Sequence, residues 1–332
     1  MADLNVNSIG DASGGNTATI NSYTPTESNM AGRNLIINGA MQVAQRGTSF
    51  SHNGQVFAWG ADRFQSQWYT SSFGTPTGGT TAQVDLTDSV SSGLQFTKAI
   101  RLTPHTDSEK VYFSQKVEDV KLLSGKTLTF SFYARTGAGS FNLFPGGTMR
   151  VLQSFGSGGS TSVSNELTAS ATVTTSWQRF EITYTIPSVA GKTIGAGNFT
   201  QFYILNADDL TSLNGSWIEV TGVQLEAGSV ATPFEHRSYG QELALCQRYF
   251  QKYTSALQGS WGTTTVTYQT YLYPVVMRTA PTWNYSNIFY SSASGLGTNS
   301  STAALLRTTL TITAGGGYGY AAFDMETSGA EL

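Results

Sequence analysis

Apolar and polar residues alternate along much of the chain between residues 33 and 235. In TLTFSFYAR (127–135), every second residue from Leu128 to Ala134 is apolar, and SWQRFEITYTIP (176–187) has the same period. A period of two predicts strands with one packed and one solvated face. The Gly, Ser and Asn turns between such segments are typical of a sandwich or barrel. The clearest predicted strands are 98–104, 110–119, 127–135, 141–146, 176–187, 199–206 and 216–226.

The period changes in SYGQELALCQRYFQKY (238–253). Ser238 followed three residues later by Gln241 matches a capping box, and apolar residues then recur at helical spacing. The residues of this apolar stripe are Leu243, Cys246, Phe250 and Tyr253. We therefore predict one helix here, at a domain boundary.

Beyond the helix, period-two segments return and predict a second, smaller β unit. The low-complexity stretch SSASGLGTNSST (291–302) is expected to be a loop, and GGGYGY (315–320) a turn that carries aromatic residues. At the other end, LNVNSIGDASGGNTATINSY (4–23) predicts two very short strands around a turn. Because this segment buries little apolar surface alone, we expect it to pair with a partner subunit or to be mobile.

These patterns predict four parts in the chain. They are a leading segment for anchoring or oligomerisation (1–32), a β-sandwich (33–237), a helix and linker (238–253) and a C-terminal β domain (254–332). The expected fold class is therefore all-β, with one short helix between two unequal units.

Composition excludes several classes of function. Charged residues make up only 12% of the 332 residues, and the net charge of −3 offers no basic field for nucleic acid. No apolar run approaches the roughly 18 residues of a membrane helix, and a secretion signal is absent from the first residues. Cys246 is the only cysteine and the three histidines are far apart, so we expect no disulfide, metal or cofactor site.

Enzymatic motifs are also missing, so the chain is expected to lack catalytic activity. No GxSxG elbow occurs. A glycosidase would need two carboxylates facing each other across a sugar, and the sequence alone cannot pair its acidic residues. A polysaccharide depolymerase that uses two carboxylates therefore stays open as an alternative.

Aromatic residues are the feature that fits recognition. Trp and Tyr rings stack on the apolar faces of sugars, while Asn, Gln, Thr and Asp side chains bind hydroxyls. The alternative for each ring is packing in the core or in an interface. The glycan-binding candidates are Trp261, Tyr268, Tyr271, Tyr318 and Tyr320, and the wider set includes Trp68, Tyr69 and Tyr273.

Trp59, Asp62 and Arg63 place large and charged side chains close together in sequence. We interpret them as a structural corner, in which Trp59 is packed and Asp62 pairs with Arg63. The preceding LIINGAMQVAQRG (35–47) is expected to enter the sandwich as a strand. No nucleophile, base or metal ligand near the corner supports a reactive site.

Several phrases resemble bacteriophage tail-fibre and other virion proteins, especially those of marine and cyanobacterial phages. They are RNLIINGAMQVAQRGTSF (33–50) with ADRF (61–64), GVQLEAGSVATPFEHRSYGQELALCQRYFQ (222–251) and PVVMRTAPTW (274–283). The resemblance implies a virion location on the tail or another exterior appendage, after synthesis in the host cytoplasm. It also implies a homotrimer whose leading segment contacts other virion proteins, and it transfers no enzymatic motif.

The strand pattern itself resembles the galactose-binding-like jelly roll of carbohydrate-binding modules. Those modules often carry an acid near a structural calcium on the last strand, and Glu219 is the nearest match here. The expected function is thus a tail fibre whose C-terminal unit forms a tip for host-surface glycan. A purely architectural head, collar or tail subunit without a ligand is the other alternative.

Overall fold

The computed structural model describes most of the chain beyond the leading segment. The described residues are 32–53, 58–59, 61–69, 77–87, 94–104, 110–144, 147–207, 216–261, 265–312 and 317–331. The two short strands predicted within 1–31 lie outside them. In the part described, no helix is long and apolar enough to cross a membrane.

The described residues form twenty strands and one helix, so the all-β class is confirmed. The first fourteen strands are β1 (Ser49–Asn53), β2 (Ala58–Trp59), β3 (Phe64–Tyr69), β4 (Thr77–Asp85), β5 (Lys98–Thr103), β6 (Lys110–Glu118), β7 (Thr127–Thr136), β8 (Phe141–Asn142), β9 (Thr148–Ser154), β10 (Val163–Thr168), β11 (Thr172–Val173), β12 (Gln178–Thr185), β13 (Phe199–Ala207) and β14 (Ile218–Ala227). The helix α1 (Tyr239–Gln247) follows. The last six strands are β15 (Lys252–Trp261), β16 (Thr265–Leu272), β17 (Thr282–Ser291), β18 (Ala293–Ser301), β19 (Leu305–Ile312) and β20 (Gly317–Ser328).

Two antiparallel six-stranded sheets make the first sandwich. Their strand orders are β1-β4-β5-β14-β7-β12 and β10-β9-β13-β6-β3-β2, so the chain crosses repeatedly between the sheets as in a jelly roll. Alternate residues of each strand meet in one core, which includes Phe64, Trp68, Phe113 and Phe132. The period-two pattern thus located β5, β6, β7, β12, β13 and β14 and the face on which they pack, whereas β1 to β4 and β9 to β11 were not among the clearest predicted strands.

β14 is the central strand of the first sheet. It pairs with β5 on one side and with β7 on the other, and nine of its ten residues are buried. Its polar residues therefore need partners within the protein. Glu226, for example, accepts hydrogen bonds from the backbone N and the hydroxyl of Thr232.

The predicted strand over 35–47 is wrong, because this segment contains turns and no strand. Asn38 has a positive φ of 62°. Its side chain donates to the carbonyl of Val43 and accepts from the N–H of Val43, which closes a loop. These local hydrogen bonds replace a strand ladder. The predicted strand 141–146 also shortens, to Phe141–Asn142.

The helix begins as predicted and ends early. The Ser238 side chain accepts from Gln241 N, and the Gln241 side chain accepts from Ser238 N, so the capping box is confirmed. The helix ends at Gln247, six residues before the predicted limit. Phe250 is therefore buried in the irregular segment that follows the helix, and Tyr253 lies in β15. Only Cys246 of the predicted stripe is buried within the helix.

The last six strands form a second, smaller sandwich. Its sheets have the orders β15-β20-β17 and β16-β19-β18, around a core that includes Leu257, Trp283, Leu310 and Phe323. The loop predicted at 291–302 is wrong, since this stretch contains the whole of β18. Small polar residues suit this position because β18 is an exposed edge strand.

The turn predicted at 315–320 is also wrong where it is described, because residues 317–320 open β20. This strand lies at the centre of its sheet and pairs with β15 and β17. Glycines in a central strand leave space beside their neighbours, which aromatic side chains on adjacent positions can occupy.

The structural corner exists, but its charged residues have other partners than predicted. Arg63 is buried and pairs with Glu331 instead of with Asp62. The buried Asp62 accepts a hydrogen bond from Gln45 and lies 3.5 Å from Arg46. Arg46 also packs over the ring of the half-buried Trp59, 5.3 Å from its centroid. The corner therefore joins the first sandwich to the end of the second.

Candidate functional site

Three tyrosines lie on the outer face of the second sheet of the first sandwich. Tyr69 on β3, Tyr112 on β6 and Tyr203 on β13 occupy adjacent strands and alternate with core residues. The ring centroids of Tyr69 and Tyr112 are 5.5 Å apart, and those of Tyr112 and Tyr203 are 5.9 Å apart, both edge to face. We call this surface the tyrosine face.

Amide and hydroxyl groups lie beside these rings. Gln65, Ser114 and Tyr203 form one row across three strands, and Gln201 donates a 2.7 Å hydrogen bond to Ser114. Gln65, Ser114 and Gln201 are buried although they point away from the core, so other groups of the protein cover this part of the sheet. The Oε1 atom of Gln65 is buried without a hydrogen-bond partner. A buried polar atom of this kind is costly unless a ligand or water satisfies it.

Arg150 on β9 completes the row. Its guanidinium carbon is 5.0 Å from the centroid of the Tyr203 ring, and its Nε donates to Ser164 Oγ at 3.0 Å. Burial raises the pKa of Tyr203 and of Tyr69, and in both cases the charge of Arg150 opposes the shift. Both phenols are therefore neutral near pH 7 and can donate or accept hydrogen bonds.

Lys116 lies at the other end of the face, where the second sandwich approaches. Its ammonium is 4.4 Å from the centroid of the Phe199 ring. The pKa of Lys116 is lowered from 10.5 to about 8, mainly by burial and then by the charges of Arg63 and Arg278, while the charge of Glu331 opposes the shift. The folded protein thus holds this proton less tightly than the unfolded chain does.

We expect Lys116→Met to stabilise the protein below pH 8 and to lose this advantage as the pH rises. Below pH 8 the native lysine is charged in a poorly solvated place. Between about pH 8 and 10.5 the unfolded state binds more protons, so wild-type stability rises with pH and the difference disappears. Melting temperatures of both proteins at neutral pH and at about pH 10 check this. Lys121→Met, which changes an exposed lysine, is the control. An advantage of K116M that stays constant with pH would contradict the explanation.

Two of the sequence-predicted aromatic candidates lie on the sheet β16-β19-β18, on its opposite faces. Tyr268 is exposed on the outer face, where Arg307 lies 4.3 Å from its ring centroid. Tyr271 points inward, and its hydroxyl is 2.8 Å from Ser255 Oγ. Tyr273 is buried and accepts a hydrogen bond from Trp283 Nε1. These residues do not form one platform.

Tyr320 does belong to an exposed cluster, on the outer face of the sheet β15-β20-β17. Its ring is 5.8 Å from that of Phe289. Farther along the same face, Asp324 accepts hydrogen bonds from Thr254 Oγ1 and Asn287 Nδ2, and these bonds lower the pKa of Asp324. The backbones of Trp261 and Tyr318 lie at the start of this sheet, but their side chains are outside the described atoms.

Trp68 is fully buried in the first core, so it is not available to a ligand. Tyr112 and Tyr203 were absent from the sequence-predicted set, although they face the same side as Tyr69. Their positions in predicted strands were the available signal, because Tyr112 alternates with core residues Val111 and Phe113. To predict that the rings lie together, one would also have to know that β3, β6 and β13 are neighbours in the sheet.

Glu219 does not have the environment of a calcium ligand. Its carboxylate is fully buried between Arg101 and Arg135, which lie directly across from it on β5 and β7. One oxygen accepts from Arg101 Nε at 2.8 Å and the other from Arg135 Nε at 2.7 Å. In the described part of the chain, no group of three His, Cys, Asp or Glu side chains is placed to hold a metal ion.

A cavity of about 600 Å³ lies beside α1. The charged side chains that line it are hydrogen-bonded to other groups of the protein. Glu235 accepts from the backbone N–H of Gly32 and Asn34. Arg237 donates to the carbonyl of Ile36 and to the carboxylate of Glu242. These bonds fix the segment after β14 to the start of the sandwich, and the tyrosine face remains the stronger candidate site.

The chain is similar in fold to several solved structures. No protein-family model matches the chain, and no curated protein matches it. The enzymatically active domain of tailspike protein 4 of bacteriophage CBA120 is 12% identical, with a TM-score of 0.35, over 59% of this chain and 21% of that one. The tandem CBM22-1–CBM22-2 domain of Xyn10C from Paenibacillus barcinonensis is 11% identical over 86% of this chain and 91% of that one, with a TM-score of 0.32. A CBM4 structure is 16% identical over 57% and 98% of the two chains, with a TM-score of 0.31. The chain therefore spans about a fifth of the tailspike chain that it matches.

Proposed function

We propose that this chain is a glycan-binding structural component of a bacteriophage particle, most simply a tail fibre, and that the tyrosine face binds the glycan. The observation that carries the proposal is the edge-to-face pair formed by the half-buried rings of Tyr69 and Tyr112, which the buried Tyr203 supports from the neighbouring strand. Aromatic rings supply flat apolar contacts for sugar rings, and the phenol hydroxyl groups supply directed hydrogen bonds.

The location on a virion is supported by the resemblance of residues 33–64, 222–251 and 274–283 to phage fibre proteins. A homotrimer fits the same resemblance. It would also cover β16, an edge strand whose outward Leu272 is 77% exposed and whose outward Tyr268 is 48% exposed. Exposed apolar residues on a sheet edge favour association. In this arrangement residues 1–32 contact other virion proteins.

We propose binding without cleavage. A glycosidase needs two carboxylates roughly 5–10 Å apart. The acidic residues on the strands of the tyrosine face are Glu118 on β6 and Glu166 on β10. These strands are separated by β9 and β13, which places them roughly 14 Å apart at the usual strand spacing. Glu118 is moreover paired with Arg248.

The test is binding of the full chain and of Tyr112→Ala to an array of bacterial and algal glycans, with an assay for released sugar. The central aromatic side chain of a binding surface contributes about 2 kcal/mol, so Y112A should weaken binding about 30-fold. Released sugar is expected to be absent for both proteins.

Tyr268→Ala and Tyr320→Ala are the matched controls, because both remove a tyrosine from a strand of the second sandwich. We expect both variants to bind like the wild type. Loss of binding in Y320A but not in Y112A would instead place the ligand on the C-terminal tip. Released oligosaccharide would favour the depolymerase, and no glycan bound by the wild type would favour an architectural subunit.

A further inference from the structure

We propose that the tyrosine face selects an anionic polysaccharide, whose carboxylate or sulfate group pairs with Arg150. This inference rests on the proposed glycan binding and adds the chemical class of the ligand. Carboxylate and sulfate share the planar pairs of oxygens that a guanidinium binds through two parallel hydrogen bonds.

The charges of the face differ from those of the whole chain. The chain has 18 basic and 21 acidic residues, whereas the strands of the tyrosine face present Lys110, Lys116 and Arg150 against Glu118 and Glu166. Glu118 is already neutralised by Arg248, at 3.0 Å. The exposed Glu166 lies opposite Arg150 in the β9–β10 ladder, yet no ion pair joins them among the described residues. Arg150 is therefore left without an ion-pair partner in the described part of the chain.

The guanidinium of Arg150 is held in place while its outer nitrogens are left available. Ser164 fixes Nε and the Tyr203 ring supports the plane. Within the described residues, Arg150 donates no other hydrogen bond and forms no ion pair. An arginine fixed in this way loses little side-chain entropy when it binds an oxyanion.

The position of Arg150 also suits a stacked sugar. Arg150 is on β9, next to β13, so it flanks the row of rings on the Tyr203 side. Tyr203 is itself only 3% exposed and lies under Arg150, so a sugar would stack on the half-buried rings of Tyr69 and Tyr112, with Arg150 two strands away from Tyr112. A substituent acid on the same polymer would meet the guanidinium without displacing any ion pair of the protein.

The test compares polymers that differ only in charge, using the full chain. The probes are polygalacturonate and its methyl ester, and a sulfated galactan and its desulfated form. Binding is measured for the wild type, for Arg150→Gln and for the control Lys192→Gln, which removes an exposed cation outside this face. Circular dichroism of each variant verifies the fold.

We expect the wild type to prefer an acidic polymer to its neutral form, and R150Q to weaken binding of that polymer about tenfold or more, because a charge-assisted pair is lost. K192Q should change binding by less than about twofold. Preference within the carboxylated pair or within the sulfated pair identifies the acid. Equal affinity for charged and neutral forms would overturn the inference while leaving glycan binding intact. Failure to bind either acidic polymer would also overturn it, and if array binding fails too, the proposed function falls with it.

Discussion

Glu219→Gln is expected to lower the free energy of unfolding by about 3 kcal/mol, the lower end for a broken buried ion pair. Glu219 is fully buried and joins Arg101 to Arg135 across three strands. A glutamine keeps the shape but presents an NH₂ group to one of the two guanidinium groups. The cost is at the lower end because Arg101 is 36% exposed and can be hydrated. Urea denaturation of the wild type and E219Q measures the difference.

Glu181→Gln is the control for this change. Glu181 lies on β12 of the same sheet and pairs with Arg179 at 2.9 Å, but about half of its side chain is exposed. Exposed pairs contribute about 0–1 kcal/mol, so E181Q should unfold close to the wild-type midpoint. If E181Q and E219Q lower the free energy of unfolding equally, the buried carboxylate between Arg101 and Arg135 has no special role.

Arg63→Met is expected to cost about 3 kcal/mol and to weaken the union of the two sandwiches. Arg63 is buried, pairs with Glu331 and donates to the carbonyl of Lys116 at 3.0 Å. Its guanidinium also lies 3.4 Å from the ring centroid of Tyr249. Without Arg63, Glu331 keeps its ion pair with Arg46. Calorimetry of R63M should show two separate unfolding transitions. The first should occur at a lower temperature than unfolding of the wild type.

Arg248→Met tests whether any arginine at this junction has the same effect. Arg248 pairs with Glu118 but is 41% exposed, so its loss should cost less than about 1 kcal/mol. A single transition at the wild-type temperature in R63M would show that the sandwiches are joined by apolar packing instead.

Local signals in the sequence predicted local structure well. The capping box of Ser238 and Gln241 marks the start of the helix, and alternation marks strands such as β6 and β7. The end of the helix was missed because the apolar stripe continues into Phe250, which is buried without helical backbone. Composition also misled at β18, since small polar residues suit an exposed edge strand as well as a loop.

Long-range partners could not be predicted from one sequence. Asp62 and Arg63 are neighbours in the chain, and pairing them was the simplest hypothesis. The partner of Arg63 is instead Glu331, 268 positions away. The tyrosine face was missed for the same reason, because its three rings come from strands whose pairing depends on the topology of the sheet.

The central place of β14 has a consequence for how the protein is made. β5 and β7 are both synthesised before the strand that joins them. The ribosome must add roughly 80 residues after β7 to reach β14, on the order of 4–16 s at roughly 5–20 residues per second. During this interval two strand edges of the nascent chain are open to wrong pairing. Slow translation between β7 and β14 would prolong that exposure, and a chaperone that covers sheet edges would be most useful at this stage.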